Sequence, residues 1–135
     1  MDPITQLTEY FREFPGIGPR QAKRFVYYLL TRNTSTLEEL SRLILELKKS
    51  VHLCKTCYRF FSTKFDQAST QMCSICANKG RDSSLLMVVS KDVDFEAVEK
   101  SHAFSGYYFI LGGLVPILEK SPESKVRLRE LSKRI

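Results

Sequence analysis

Two Cys-x-x-Cys pairs, Cys54 with Cys57 and Cys73 with Cys76, stand 15 residues apart and constrain this chain more than any other feature. A two-residue gap lets both thiolates of a pair turn toward one ion, and two such pairs complete a tetrahedral shell of four sulfurs. Soft thiolates favour zinc over magnesium or calcium, although iron fits a similar site. Four sulfurs leave no open coordination position, so Cys54, Cys57, Cys73 and Cys76 are expected to hold one structural zinc. Disulfides are the competing use of these cysteines, and a reducing cytosolic setting with doubled spacing argues against them. His52 precedes Cys54 by two residues, but the shell is already full, and a packing role is expected for it. The segment has little apolar content of its own, so metal binding should supply much of its folding free energy.

Before the cysteines the chain reads as helical. Asp2-Pro3 is a helix start, since Asp accepts from free N–H groups and Pro needs no donor at the first position. Ile4, Leu7, Phe11 and Phe14 follow at helical spacing. A second helix opens at Pro19 with Ala22, Phe25, Val26, Leu29 and Leu30 on its apolar side. Thr36 with Glu39 reads as a capping box for a third helix, with Leu37, Leu40, Leu43, Ile44 and Leu47 inward. After the cysteines, Leu85 to Val89 and Tyr107 to Leu111 read as buried strands. Helical spacing around Val93, Ala97 and Val98 separates them, and Glu123 to Ile135 reads as a last helix. Strand, helix, strand, helix implies an α/β unit with a parallel sheet. The expected divisions are 1–52, 53–80 and 81–135, giving an α+β chain in several parts.

Between the first two helices, Pro15-Gly16-Ile17-Gly18-Pro19 with Arg20, Lys23 and Arg24 looks like a helix-hairpin-helix motif. Gly16 and Gly18 permit a tight turn whose backbone N–H groups approach a phosphate closely. The following helix N-terminus adds partial positive charge at the same place. Arg20, Lys23 and Arg24 then reach neighbouring phosphates. None of this needs a base edge, so DNA binding through Gly16, Gly18, Arg20, Lys23 and Arg24 should ignore sequence and respond to salt. A plain glycine-proline turn is the simpler account of the glycines alone. For Phe25, Tyr27 and Tyr28, core packing is the first account, with an oligomer contact or base stacking behind it.

Charge agrees with a polyanionic partner. Up to Gly80 the chain carries 12 Lys and Arg against 7 Asp and Glu, and from Arg81 onward 9 against 8. The excess therefore sits with the hairpin. No apolar run approaches the roughly 20 residues needed to span a bilayer. The N-terminus lacks the pattern of a signal peptide, and a cytoplasmic location is expected.

Taken in order, these features resemble the bacterial recombination-mediator family RecR. The resemblance rests on Phe14 through Arg24, the four cysteines, and Arg81-Asp82-Ser-Ser-Leu-Leu-Met-Val-Val89. It continues through Asp92-Val93, Ala97 to Lys100, Phe104 to Tyr107 and Leu111 to Gly113. The resemblance implies a helix-hairpin-helix, a four-cysteine zinc motif and a Toprim domain, and a role in recombinational DNA repair. It also implies RecO and RecF as partners and ring-shaped homo-oligomers that engage DNA. The family's Toprim domain is expected to continue past Ile135, which leaves a partial α/β unit here.

Catalytic Toprim domains hold magnesium on a strand-end glutamate and an Asp-x-Asp. Here the first position is Ser90, and Asp92-Val93-Asp94 falls at a helix start, where capping is the better account. Asp92, Asp94 and Glu96 also form an acidic patch for a partner protein. His102 follows a helix end and is expected as a cap or surface residue. No nucleophile–base pair is apparent, so a non-catalytic DNA-binding mediator is expected. A fragment of a magnesium-dependent Toprim nuclease or primase, or a zinc-ribbon scaffold for proteins, stands behind it.

Overall fold

The computed structural model of the chain describes residues 1–62, 71–114, 120 and 125–135. They fall into two units, Met1–Leu47 and Lys48–Ile135.

In the N-terminal unit, helix α1 (Pro3–Arg12) starts where Asp2 Oδ1 accepts from the Thr5 N–H at 2.8 Å. Helix α2 (Pro19–Leu30) starts at Pro19, as its fixed φ and missing donor favour. The two helices pack through Thr8, Ala22 and Val26, which are buried, and through Phe11, whose ring meets Phe25 edge-on at 5.9 Å. Thr8 is tolerated there because its hydroxyl donates to the Ile4 carbonyl at 2.7 Å. Leu7, Phe14 and Leu30 stay exposed, against expectation. Tyr27 and Tyr28 are exposed too, so core packing is not their use.

Helix α3 (Thr34–Ser50) differs from expectation in its start and its burial. Asn33 caps the helix in place of Thr36, its Oδ1 accepting from the Thr36 N–H at 2.8 Å, and Glu39 turns outward to Arg42 at 2.7 Å. Asparagine is the stronger cap, and its position one turn earlier wins. Leu40, Leu43, Ile44 and Leu47 form the expected stripe, yet all four are exposed. α1 and α2 already satisfy each other, and a third apolar stripe needs another layer to cover it.

The C-terminal unit opens with a short antiparallel hairpin, β1 (Val51–Leu53) and β2 (Phe60–Ser62), in the register His52 to Phe61. The one-turn helix α4 (Ser74–Ala77) follows the second cysteine pair's first member. Strands β3 (Leu86–Val89) and β4 (Tyr107–Ile110) then pair in parallel, with Met87 opposite Tyr108 and Val89 opposite Ile110. Helix α5 (Asp92–Ser101) makes the crossover, and α6 (Leu128–Arg134) closes the unit. Glu123, where the last helix was expected to begin, lies outside the described residues. On α5 the buried residue is Phe95, while Val93 faces solvent. Phe95 meets Tyr108 edge-on at 4.7 Å, and Ile110 completes this core.

One polar group inside this unit carries structural weight. Arg81 forks onto Glu99 at 2.9 and 3.1 Å, and Tyr108 donates to the same carboxylate at 2.6 Å. The Arg81 guanidinium, then the Tyr108 hydroxyl, hold Glu99 below the usual carboxylate range against the opposing effect of burial. Burial first, and the hydrogen bond to Glu99 second, push Tyr108 up to about 12. Side-chain exposures of 14% for Arg81 and 29% for Glu99 place the pair between surface and interior. Breaking it should cost about 2 kcal/mol, between the values for exposed and buried pairs. A lowered folded-state pKa gives stability that is present above the ordinary glutamate value of about 4.3 and is lost as pH falls through the folded value. Urea unfolding of Glu99→Gln is therefore expected to show a loss of that size near neutrality, shrinking below about pH 4. A loss that stays constant through the acid range would show that charge is not the cause.

Candidate metal centre and nucleic-acid interface

The first cysteine pair sits on the turn joining β1 to β2. Tyr58 takes the left-handed conformation there, with φ 66°, and the Tyr58 N–H returns to the Cys54 carbonyl at 2.9 Å. This folds the chain so that Cys54 Sγ receives three backbone N–H groups, from Thr56 at 3.4 Å, Cys57 at 3.5 Å and Cys73 at 3.4 Å. Cys73 caps α4, and one turn of helix carries Cys76 to the same side. Lys55 N–H donates to the Gln71 carbonyl at 2.7 Å and ties the two turns together.

All four sulfurs lie within 4.8 Å of one another, with Cys54 to Cys76 at 3.8 Å and Cys57 to Cys73 at 3.7 Å. A disulfide needs about 2.05 Å, so none is formed. A tetrahedron with metal–sulfur arms of about 2.3 Å has edges of about 3.8 Å. The cluster is thus sized to hold a metal ion. Cys54, Cys57 and Cys73 are buried and Cys76 is half-buried.

Thiols this close divide their protons unequally. Hydrogen bonds from Cys57, then Cys73 and Cys76, hold Cys54 far below the ordinary thiol value. Cys54 is the largest influence on Cys73 and raises it, but Cys57 and Cys76 together bring it down to about 5. Cys57 and Cys76 are both pushed up, each chiefly by Cys54. His52 stays outside this group; its ring sits 6.3 Å from that of Phe61.

In the hairpin, Gly16 has φ 79°, a conformation other residues adopt only with strain, and the Ile17 N–H closes the turn onto the Phe14 carbonyl at 3.1 Å. Gly18 is the cap of α2 and has an ordinary extended backbone, with no side-chain hydrogen bond to the cap. A Cβ at Gly18 would meet nothing within 4 Å. The fold does not need glycine there, and the backbone lies open to close approach. Arg20, Lys23 and Arg24 are exposed, and none forms an ion pair with a described residue. Arg12, which no motif singles out, joins Arg20 and Lys23 around a groove of 380 Å³ between α1 and α2, together with its ion-pair partner Glu9. Only the packing of α1 on α2 brings it there.

The remaining candidates are structural. Asp94 accepts from the Lys91 N–H at 3.0 Å and caps α5, while Asp92 accepts from the Phe60 N–H at 2.8 Å. The groove beside Asp92 is rimmed by Lys91 and Arg127, a mixed rather than acidic edge. Ser90 follows β3, where its carbonyl accepts from Gly112 at 2.8 Å. His102 is exposed at the left-handed end of α5. Among the described residues, the four cysteines are the one group of three or more His, Cys, Asp or Glu placed to hold an ion. No helix there is long and apolar enough to cross a membrane.

Fold and site together define a helix-hairpin-helix protein with a four-cysteine cluster placed to hold a metal ion and a parallel α/β unit. The family profile for "RecR, helix-hairpin-helix" matches residues 4–48. Recombination protein RecR of Prochlorococcus marinus (strain AS9601) is 34% identical over 98% of this chain and 63% of its own length. RecR of Desulforapulum autotrophicum is 38% identical over 98% of this chain and 63% of its own. The chain is therefore similar to RecR proteins over nearly its whole length. It spans about 63% of the length of these curated relatives.

The two glycines should separate on substitution. Gly16→Ala is expected to lower stability by about 1 kcal/mol through its left-handed φ, and Gly18→Ala by roughly half as much, the cost of a poorer helix cap. Thermal unfolding of both variants tests this; equal losses would mean that Gly18 serves the fold after all.

Proposed function

We propose that this chain is a non-catalytic, cytoplasmic DNA-binding protein of recombinational repair, acting as a mediator with RecO- and RecF-type partners. The observation that carries it is the uncapped start of α2, with Gly18 open to approach and Arg20, Lys23 and Arg24 forming no ion pair with a described residue. Backbone N–H groups of the hairpin receive one phosphate, and the three cations meet its neighbours. Similarity to RecR supports the repair role, since those relatives carry the name recombination protein. A self-associating chain is supported by the exposed apolar stripe of α3.

The ion of the four-cysteine cluster is zinc in this reading, with Cys54, Cys57, Cys73 and Cys76 as ligands. Four soft donors at tetrahedral spacing favour it, and a divalent charge lets all four thiols ionise together. Its role is structural, and the divisions 1–52, 53–80 and 81–135 correspond to DNA grip, zinc-stabilised connector and protein-facing α/β part. The commitment of Asp92 and Asp94 to backbone N–H groups favours this over a magnesium-dependent nuclease or primase.

Fluorescence anisotropy with labelled DNA across a salt series tests the grip. Arg20→Ala and Lys23→Ala should each lower the salt slope by about 1 and weaken all sequences alike. Unchanged affinity and slope would remove the hairpin from the interface. Gly18→Ala should weaken binding while leaving the fold intact.

Native mass spectrometry is expected to find one zinc per chain in the wild type and substoichiometric metal in Cys57→Ser. A strong chelator should abolish near-ultraviolet dichroism from the C-terminal unit, whose Tyr108 and Phe109 are buried. Retention of that signal without metal would show that the cluster does not depend on an ion.

A further inference from the structure

Tyr27 and Tyr28 are aromatic residues that the core of the N-terminal unit leaves unused. They are 51% and 59% exposed, whereas Ala22 and Val26 on the same helix are buried and Phe25 meets Phe11. At 3.6 residues per turn, positions 20, 23, 24 and 27 share one helix face, and 28 lies beside it one turn beyond 24. That face of α2 is Arg20, Lys23, Arg24 and Tyr27, with Tyr28 at its edge, opposite the buried Ala22 and Val26. Arg32 extends the positive side, its guanidinium carbon 5.8 Å from the Tyr28 ring centroid. No Asp or Glu occurs anywhere in α2.

Cations and unburied rings on one face select among partners. A second copy of this chain would set like charge against like across a two-fold contact. A duplex offers phosphates but keeps its base faces in its own stack. A single strand offers phosphates together with unstacked bases, each with a π-face. The aliphatic stripe of α3 has no rings, and the other exposed rings of this unit, Tyr10 and Phe14, lie outside the basic face of α2.

We propose that Tyr27, flanked by Tyr28, is a base-stacking platform for single-stranded DNA, held in register by phosphate contacts to Arg20, Lys23 and Arg24. The proposal rests on the backbone-binding reading of the hairpin and adds a preference for single strands to it. Phosphate contacts set the salt dependence, and the rings set the difference between a strand with bases and one without.

The test uses the full zinc-supplied chain and three probes of equal length: an oligo-dT strand, an abasic strand and a duplex. Wild type is expected to bind oligo-dT tightest. Tyr27→Ala should weaken oligo-dT binding by roughly five- to tenfold, the low end for aromatic stacking. Its abasic and duplex affinities and its salt slope should not move, and Tyr27→Phe should restore binding. The chain has no Trp, so Tyr27→Trp introduces a single indole, whose emission should be quenched by oligo-dT and not by the abasic strand. Wild-type affinity of Tyr27→Ala for oligo-dT overturns the platform. So does an equal loss on all three probes, or a change in sedimentation that makes the ring a self-association contact. If Arg20→Ala and Lys23→Ala weaken every probe while Tyr27→Ala changes none, the stacking proposal alone fails. If wild type binds none of the probes, the backbone-binding reading fails and the platform with it.

Discussion

Three backbone N–H groups aimed at one sulfur hold the C-terminal unit around Cys54. The same turn that presents them also lends its carbonyls to the rest of the unit. Cys57 carbonyl accepts from the Ile110 N–H at 2.8 Å, so the cysteine turn covers an edge of β4 that a two-stranded sheet would leave bare. Tyr58, placed by its left-handed backbone, packs on Phe109 at 5.5 Å. Ile75 lies against both the cysteine cluster and the core of Phe95, Tyr108 and Ile110. The four-cysteine turn is therefore a structural floor for the parallel strands, and disturbing it would reach β4 directly.

Arginines do much of what a larger apolar core would do elsewhere. Arg127 donates to the Ile110 carbonyl at 2.8 Å and lies 5.0 Å over the Tyr58 ring. Arg134 donates to the Thr56 and Tyr108 carbonyls at 2.9 and 2.7 Å, tying α6 to both the cysteine turn and β4. Arg81 joins β4 to α5 through the Gly106 carbonyl and Glu99. A guanidinium has five donors in a rigid fork, so one side chain can satisfy several buried acceptors that no strand partner reaches. Such bonds are directional, and they fix the position of each element more tightly than apolar packing alone would.

Local signals were readable and distant ones were not. Asp2, Pro19 and the Cys-x-x-Cys spacings act within a turn of chain, and each does what its chemistry suggests. The parallel pairing of β3 and β4 followed from two short apolar runs separated by a helical stretch. Two caps within one turn compete, and Asn33 prevails over Thr36. Val93 and Phe95 both suit a helix interior, and only the position of Tyr108 decides for Phe95. The stripe of α3 was legible as a period, but a period does not say whether anything covers it. Arg81, Arg127 and Arg134 reach acceptors 17 to 78 positions away, and nothing local marks them. For the hairpin the residues were visible, while the companionship of Arg12 depends on how α1 meets α2.

Where charge is consumed and where it is left free separates structure from function in this chain. Arg12, Arg42 and Arg81 each face a carboxylate, and Arg127 and Arg134 face carbonyls. Arg81, Arg127 and Arg134 thereby serve the fold and have little field left for a ligand, whereas the pairs of Arg12 and Arg42 are exposed and weak. Arg20, Lys23 and Arg24 form no ion pair with a described residue, although Asp2 lies within electrostatic reach of Lys23, and their helix carries no acid of its own and no side-chain cap at its start. Mutual repulsion among them costs stability, and this is what supports the proposal that they meet an anion outside the chain. The same helix turns two rings to solvent where polar residues would be cheaper to expose. Free charge and free rings on one face, beside a backbone with open space above Gly18, are the grounds for proposing α2 as the binding helix of its unit, while the cysteine turn is the structural centre of the other.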